Sequence, residues 1–275
     1  MPELPEVETI RNNLRQGTPD QPALLGRRIL DAWLSWERTL AEPAPQVFHE
    51  RIAGQSIREI GRRGKFIRFY LTHDELLVHL RMSGDLVIRP AAQPPEQHDR
   101  LILELEGGLA LAFNDTRKFG RVWLTNQPEN VLGKLGPEPL DAGFLPEDLY
   151  ASLQAHRRQL KPLLLDQTFL AGLGNIYTDE ALHLARLHPL TPSNRLSLED
   201  SRRLWSSIRQ VLQEGVRLNG TSIDWVYRGG GFQQRLRVYD RAGEPCVECG
   251  RPIVRIVVGQ RGTHICPQCQ PPPEN

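Results

Sequence analysis

Lysine is scarce in this chain: only four of its 34 basic residues are lysines, and the remainder are arginines. Where a lysine does stand, as in Arg62-Arg63-Gly64-Lys65-Phe66, a point charge is expected to matter more than casual composition. Long apolar runs are missing. No stretch approaches the ~20 residues that cross a bilayer, which excludes a helical membrane span, and no basic-then-apolar leader opens the chain. Cysteine is confined to four positions, all after residue 245, so a disulfide framework spread through the chain is excluded. With 275 residues at 39 % hydrophobic, the chain is long enough for two compact domains. A soluble, intracellular protein is expected.

Charge is divided unevenly. The formal net charge is +1, but residues 1 to 149 carry −4 and the remainder +5. A basic C-terminal half containing Arg251, Arg255 and Arg261 suggests a polyanionic partner, against the default of a solvated charged face.

The cysteines form Cys246-x2-Cys249, sixteen residues, then Cys266-x2-Cys269. This is the spacing of a four-thiolate zinc ribbon, with each pair on a tight knuckle at the end of a hairpin. One structural Zn2+ per chain is expected, supplying folding free energy that so small a hairpin cannot obtain from its core. His264 is a conceivable substitute ligand, but with four thiolates at hand it is expected on the hairpin.

The chain opens Met1-Pro2-Glu3-Leu4-Pro5-Glu6. Removal of Met1 would leave Pro2 as a free secondary amine beside two carboxylates. An α-amino group titrates near 7.7 to 8.0 against about 10.4 for lysine, so at pH 7 it is unprotonated more often by roughly several hundred fold, which favours Schiff-base chemistry. A helix follows: Pro5 suits the first turn, Glu3, Glu6 and Glu8 favour its positive end, Val7, Ile10 and Leu14 share a face, and Gly17 stops it. The same residues could simply cap an ordinary helix, so the nucleophile needs support from elsewhere.

Strand-like segments come next, at Arg28 to Trp36, Ser56 to Leu71, Leu76 to Ile88, Leu101 to Phe113 and Arg121 to Thr125, with turn signals at Ser83-Gly84-Asp85 and Gly107-Gly108. They predict a β-sandwich. A Pro/Gly-rich connector runs from Pro137 to Pro146, and helical periodicity then marks Leu149 to Leu153, Pro162 to Asp166, Tyr177 to Leu187 and Ser197 to Leu218. In the last, Ser197 is placed to cap, with Leu204, Ile208, Val211 and Leu212 facing a core. The glycines of Leu170-Ala171-Gly172-Leu173-Gly174-Asn175 would let backbone approach a phosphate closely. The fold class is α+β and multidomain: an N-terminal helix plus β-sandwich domain (1–137), a connector (138–149), a helical domain (150–242) and the zinc ribbon (243–275).

Seven motifs in order give the chain a more specific reading. They are Pro2-Glu3-Leu4-Pro5-Glu6-Val7-Glu8-Thr9, Gly64-Lys65-Phe66, His79-Leu80-Arg81-Met82-Ser83-Gly84, Asp115-Thr116-Arg117-Lys118-Phe119-Gly120, Leu135-Gly136-Pro137-Glu138-Pro139-Leu140, Gly172-Leu173-Gly174-Asn175-Ile176-Tyr177 and Gln260-Arg261-Gly262-Thr263-His264. Together they resemble, nearly end to end, the formamidopyrimidine-DNA glycosylase family of bacterial base-excision repair. The resemblance implies a helix-two-turn-helix arrangement in the helical domain. It also implies a bifunctional glycosylase and AP lyase acting on oxidised purines, formamidopyrimidines and 8-oxoguanine, in duplex DNA.

By that resemblance Pro2 attacks C1′ of the damaged nucleotide, and β,δ-elimination from the imine cuts the strand on both sides. Glu3 acts as acid and base around the sugar ring oxygen, and Glu6 holds the terminus by hydrogen bonding. Lys65 and Arg261 belong to the same set as contacts to the flanking phosphates, with Asn175 and, more weakly, His79. Because the nucleotide must leave the stack, the hole behind it needs filling; Met82, Arg117 and Phe119 match that role. The partner is double-stranded DNA carrying oxidised bases or abasic sites, with no membrane, for a monomer in the bacterial cytoplasm at the nucleoid. An endonuclease VIII-like enzyme for oxidised pyrimidines is the alternative within the superfamily, disfavoured by Leu4 and the Met82/Arg117/Phe119 set; a non-catalytic zinc-ribbon DNA-binding protein is the alternative outside it. The segment Ser222 to Gly231 is short for the family, and is expected to be mobile without DNA and to add little to lesion choice.

Overall fold

The computed structural model describes residues 1–222 and 229–273. It separates into two compact units, one built on Met1–Lys134 and the other on Leu135–Thr221 with the chain from Gly230 onward. Among the described residues no helix is long and apolar enough to cross a membrane.

In the first unit, α1 (Leu4–Gln16) carries Pro5 in its first turn and buries Leu4, Val7, Ile10 and Leu14 before Gly17 ends it, as the spacing predicts. Nine strands follow: β1 (Ile29–Leu34), β2 (Leu40–Glu42), β3 (Glu59–Arg63), β4 (Phe66–Tyr70), β5 (Glu75–His79), β6 (Gly84–Pro90), β7 (Asp99–Leu105), β8 (Leu109–Asp115) and β9 (Arg121–Thr125), with the short helices α2 (Pro45–Ile52) and α3 (Glu129–Leu132). They form a four-stranded sheet, β1-β7-β8-β6, and a five-stranded one, β2-β9-β5-β4-β3. A single apolar cluster joins their inner residues: Leu101, Leu103, Leu111 and Phe113 from the first sheet, Ile67, Phe69, Val78 and Val122 from the second, with Val7 and Ile10 of α1 and Phe48 of α2. The β-sandwich is as expected. Three of the five strand-like segments each divide into two strands, because turn residues interrupt runs that read as continuous by composition. The sequence does not mark β2 or α2, too short for a period to register.

One of these divisions matters for function. The Leu76–Ile88 run splits at residues 80–83, with β5 in the five-stranded sheet and β6 in the four-stranded one; the link from β8 to β9 passes back between the same two sheets. His79 pairs with Arg121 at the end of one sheet and Gly84 with Asp115 at the end of the other. The two crossing links are therefore neighbours at one end of the sandwich.

The second unit holds α4 (Pro146–Gln154), α5 (Leu160–Leu164), α6 (Asn175–Leu184) and α7 (Leu198–Arg217), then a hairpin of β10 (Val254–Val258) and β11 (Arg261–Ile265). Ser197 caps α7: its Oγ accepts the Asp200 N–H at 3.1 Å while the Asp200 carboxylate accepts the Ser197 N–H. Leu204, Ile208, Val211 and Leu212 are buried along that helix. Helix α6 is instead buried on every side from Ile176 to His183, charged residues included, so its sequence shows no polar face.

Those buried charges tie the ribbon to the helices. Lys161 of α5, 0 % exposed, donates to Asp179 Oδ1 at 2.6 Å, to Thr263 Oγ1 at 2.8 Å and to the Gly262 carbonyl at 3.2 Å. Asp179 Oδ2 accepts the His264 N–H at 2.9 Å. Glu180 accepts the backbone N–H groups of Arg237, Val238 and Tyr239 at 2.8 to 2.9 Å; burial raises its carboxyl above the ordinary range and these three donors work against that rise. Lys161→Met should therefore leave Asp179 as a buried carboxylate without its counter-charge, costing about 3–5 kcal/mol. Denaturant unfolding of the full chain measures the loss, and adding Asp179→Asn should recover part of it.

Candidate active site

The N-terminal candidates are buried. Pro2 lies inside, and Glu3 and Glu6 are 2 % and 3 % exposed. Glu6 Oε2 accepts the Glu3 backbone N–H at 2.8 Å, so one carboxylate fixes the peptide next to Pro2. With Met1 in place the Pro2 nitrogen is an amide; its removal leaves a secondary amine at the positive end of α1, with the Glu3 carboxyl on the following residue. One turn on, Glu8 accepts from Arg62 Nε at 2.8 Å, and Arg62 also donates to the Gly64 carbonyl at 2.9 Å. This ion pair ties α1 to the turn between β3 and β4. Gly64 takes φ +56° there, the glycine-first arrangement of a two-residue hairpin turn, and the next residue is the buried Lys65.

His79 is brought to the same place by strand pairing: it lies opposite Phe66, ring centroids 4.7 Å apart and edge to face. Burial, and then the charges of Arg81 and Lys65, push its pKa down to about 3. Nδ1 accepts the Arg81 N–H at 3.1 Å. The ring is thus neutral with its proton on Nε2, a fixed donor.

The three void-filling candidates sit on the two sheet-crossing links. Met82 is 38 % exposed and Phe119 49 %. The Arg117 guanidinium lies 4.9 Å from the centre of the Phe119 ring. What fixes the links is Asp115, 0 % exposed. Its Oδ1 accepts the Ser83 hydroxyl and, at 3.2 Å, the Arg117 N–H; its Oδ2 accepts the Gly120 N–H at 2.7 Å. One carboxylate thereby joins the link carrying Met82 to the link carrying Arg117 and Phe119. Both glycines of these motifs are required by packing, since a Cβ on Gly84 would stand 2.5 Å from the Leu80 carbonyl and one on Gly120 2.2 Å from the Phe113 ring. Asp115 carries no role in the sequence reading; its only signal was its place in the motif.

In the second unit, Asn175 opens α6 and donates from Nδ2 to the Gly262 carbonyl at 3.0 Å. Arg261, exposed, is the first residue of β11, adjacent to Gly262. The structure therefore couples Asn175 and Arg261 through one carbonyl, the one that Lys161 also grips. The second Nδ2 proton and the positive end of the helix suit an anion.

The four cysteine sulfurs lie within 4.8 Å of one another. Cys249 and Cys266 are 3.4 Å apart and Cys246 and Cys269 3.9 Å, far beyond a disulfide bond and close to the ~3.8 Å edge of a tetrahedron with 2.3 Å zinc–sulfur bonds. The donor set fits Zn2+ and completes a structural site with no open position. His264 stays on the hairpin, its backbone held by Asp179. A residue that the sequence reading missed is His183 of α6, with Nε2 3.4 Å from Cys246 Sγ. Burial, then the Arg237 charge, lowers its pKa to about 4; with zinc on the Cys246 thiolate, an Nε2 proton of this neutral ring would supply an outer hydrogen bond of the kind that orients metal ligands. Ile223 to Arg228, the middle of the short glycine-rich segment, lie outside the described residues.

Known protein families match the chain along most of its length. The formamidopyrimidine-DNA glycosylase N-terminal domain model matches residues 1–122, the formamidopyrimidine-DNA glycosylase H2TH domain model residues 135–226, and the model of the zinc finger found in FPG and IleRS residues 243–272. The formamidopyrimidine-DNA glycosylase of Chloroflexus aurantiacus is 46 % identical over 278 residues, covering 98 % of both chains. That of Protochlamydia amoebophila is 43 % identical over 279 residues, 98 % of this chain and 99 % of its own. Among solved structures, Lactococcus lactis Fpg (MutM) in complex with a DNA containing N7-benzyl-Fapy-dG superimposes with a TM-score of 0.91 at 36 % identity over 98 % of this chain and 100 % of that one. MutM in complex with DNA containing carbocyclic 8-oxo-G gives 0.90 at 37 % identity over the same shares. The chain belongs to the formamidopyrimidine-DNA glycosylase family.

Proposed function

We propose that this family member excises formamidopyrimidines and 8-oxoguanine from duplex DNA and cuts the strand at the resulting site, acting as a monomer at the nucleoid in the bacterial cytoplasm. The observation that carries the assignment is the buried start of α1, where Glu6 fixes the Glu3 backbone beside Pro2. Relatives in the same family are solved with DNA containing Fapy-dG and an 8-oxo-G analogue, which supports the substrate class. The Pro2 amine forms a bond to C1′ as the C1′–base bond breaks, and Glu3 moves the proton that opens the sugar ring. The imine makes the C2′ proton acidic, and successive eliminations expel the phosphates on the 3′ and then the 5′ side. Lys65 and Arg261 bring positive charge to the flanking phosphates, Asn175 adds a neutral donor, and His79 offers its Nε2 proton. Met82, Arg117 and Phe119 fill the stack behind the extruded nucleotide. Zinc has no part in the chemistry; it holds the ribbon that presents Arg261.

An uncleavable extension before Pro2 turns the amine into an amide with no usable lone pair. Borohydride trapping of the extended protein on lesion-bearing DNA should then vanish, and undiminished trapping would move the nucleophile elsewhere.

Glu3→Gln keeps the shape of the side chain but cannot transfer a proton. Base release should fall by about 10²-fold or more while affinity for damaged duplex stays within a few fold, as single-turnover kinetics and titration would report.

Arg261→Ala removes a phosphate contact, so affinity should weaken alike for all sequences and the salt dependence should flatten by about one charge. A loss confined to one lesion would contradict the assignment.

A further inference from the structure

The links that carry Met82 and Phe119 each contain one non-glycine residue in the left-handed backbone region: Arg81 at φ +56° and Lys118 at φ +60°. An L side chain is strained there, so something must hold Lys118 in place for Arg117 and Phe119, its two neighbours, to point outward. Its ammonium lies 4.2 Å from the centre of the Trp36 ring. The Arg38 guanidinium is 5.8 Å from that ring as well. Trp36 is itself well anchored. Its carbonyl accepts the N–H of the buried Thr39 at 2.9 Å to start a short 3-10 turn, and the strand that follows, β2, pairs in parallel with β9 through Leu40 and Val122. The backbone that carries the ring is thus tied to the strand that the β8–β9 link runs into.

We infer that Trp36 is a positioning residue for lesion extrusion: by a cation–π contact its ring face holds Lys118 in the left-handed conformation and so sets the direction of the Arg117–Phe119 tip. The inference rests on the void-filling role given to Phe119 above. Lysine suits the job because its single compact charge reaches the ring at the end of a flexible stem while the backbone bends the other way. The ring touches no DNA in this role, and its effect passes through residue 118.

The test compares excision of a formamidopyrimidine from duplex DNA with strand cleavage at a preformed abasic site, where less stacking must be broken. Trp36→Leu should lower the ratio of the first rate to the second by about two- to fivefold, the size of an exposed cation–π contact, and Trp36→Phe should restore most of it. Lys118→Gln, at an exposed position that leaves folding intact, should give the same drop, and the double variant Trp36→Leu/Lys118→Gln should fall no further than either alone. Lys118→Asn should lose less than Lys118→Gln, since asparagine tolerates the left-handed region. Additive losses, or a Trp36→Leu loss equal on both substrates, would overturn the clamp. So would a Lys118→Gln effect that appears only as a salt-dependence change of about one charge, which would make Lys118 a phosphate contact. Phe119→Ala in the same assay separates the two levels: if it lowers the ratio and Trp36→Leu does not, the clamp alone falls, and if it leaves the ratio unchanged the void-filling assignment falls and the clamp with it.

Discussion

The carboxylate of Asp115 occupies the point where the sandwich turns its corner. Two chain segments leave one sheet for the other at that end, and neither can complete its backbone hydrogen bonds with a neighbouring strand while doing so. Asp115 accepts from one through the Ser83 hydroxyl and from the other through the N–H groups of Arg117 and Gly120. A buried carboxylate is costly to desolvate unless several donors surround it, so the same requirement that makes Asp115 tolerable makes the two links rigid relative to each other. Exposed Met82 and Phe119 then stand on fixed bases, although they belong to different links.

The helical unit solves the same problem with a second buried acid. Asp179 meets Lys161 and the backbone of His264, and Lys161 spends its remaining protons on Thr263 and Gly262. Asn175 reaches the Gly262 carbonyl from the helix start. The strand residues Gly262 to His264 are in this way gripped by groups from two helices, and Arg261 lies next to them at the start of β11. His79 and His183 are also buried, each with its pKa lowered chiefly by that burial.

The scarcity of lysine gains a physical meaning here. Lys161 serves a carboxylate, a hydroxyl and a carbonyl that lie in three directions, which suits a tetrahedral ammonium and not a planar guanidinium. Lys118 needs a small charge at the end of a reach to a ring. Lys65 is buried in a two-residue turn. Arginine fills the surface and paired positions, such as Arg62 against Glu8.

What the sequence by itself determined was whatever depends on spacing along the chain. The cysteine pairs named the metal site, the Pro and Glu pattern placed α1, the period of Leu204 to Leu212 placed α7 and Ser197 capped it, and seven ordered motifs identified the family. These are local, because ligand spacing, helix periodicity and capping act within a few residues. What only the tertiary structure decided lies between residues far apart in sequence. That Leu76–Ile88 would split between two sheets follows from packing both faces of the sandwich, not from composition. Asp115 joins loops more than thirty residues apart, Lys161 meets Gly262 across a hundred, Trp36 finds Lys118, and His183 reaches Cys246. Helix α6 hid its acids from any periodicity because all its faces are buried, and a helix without a wet face leaves no amphipathic trace to read.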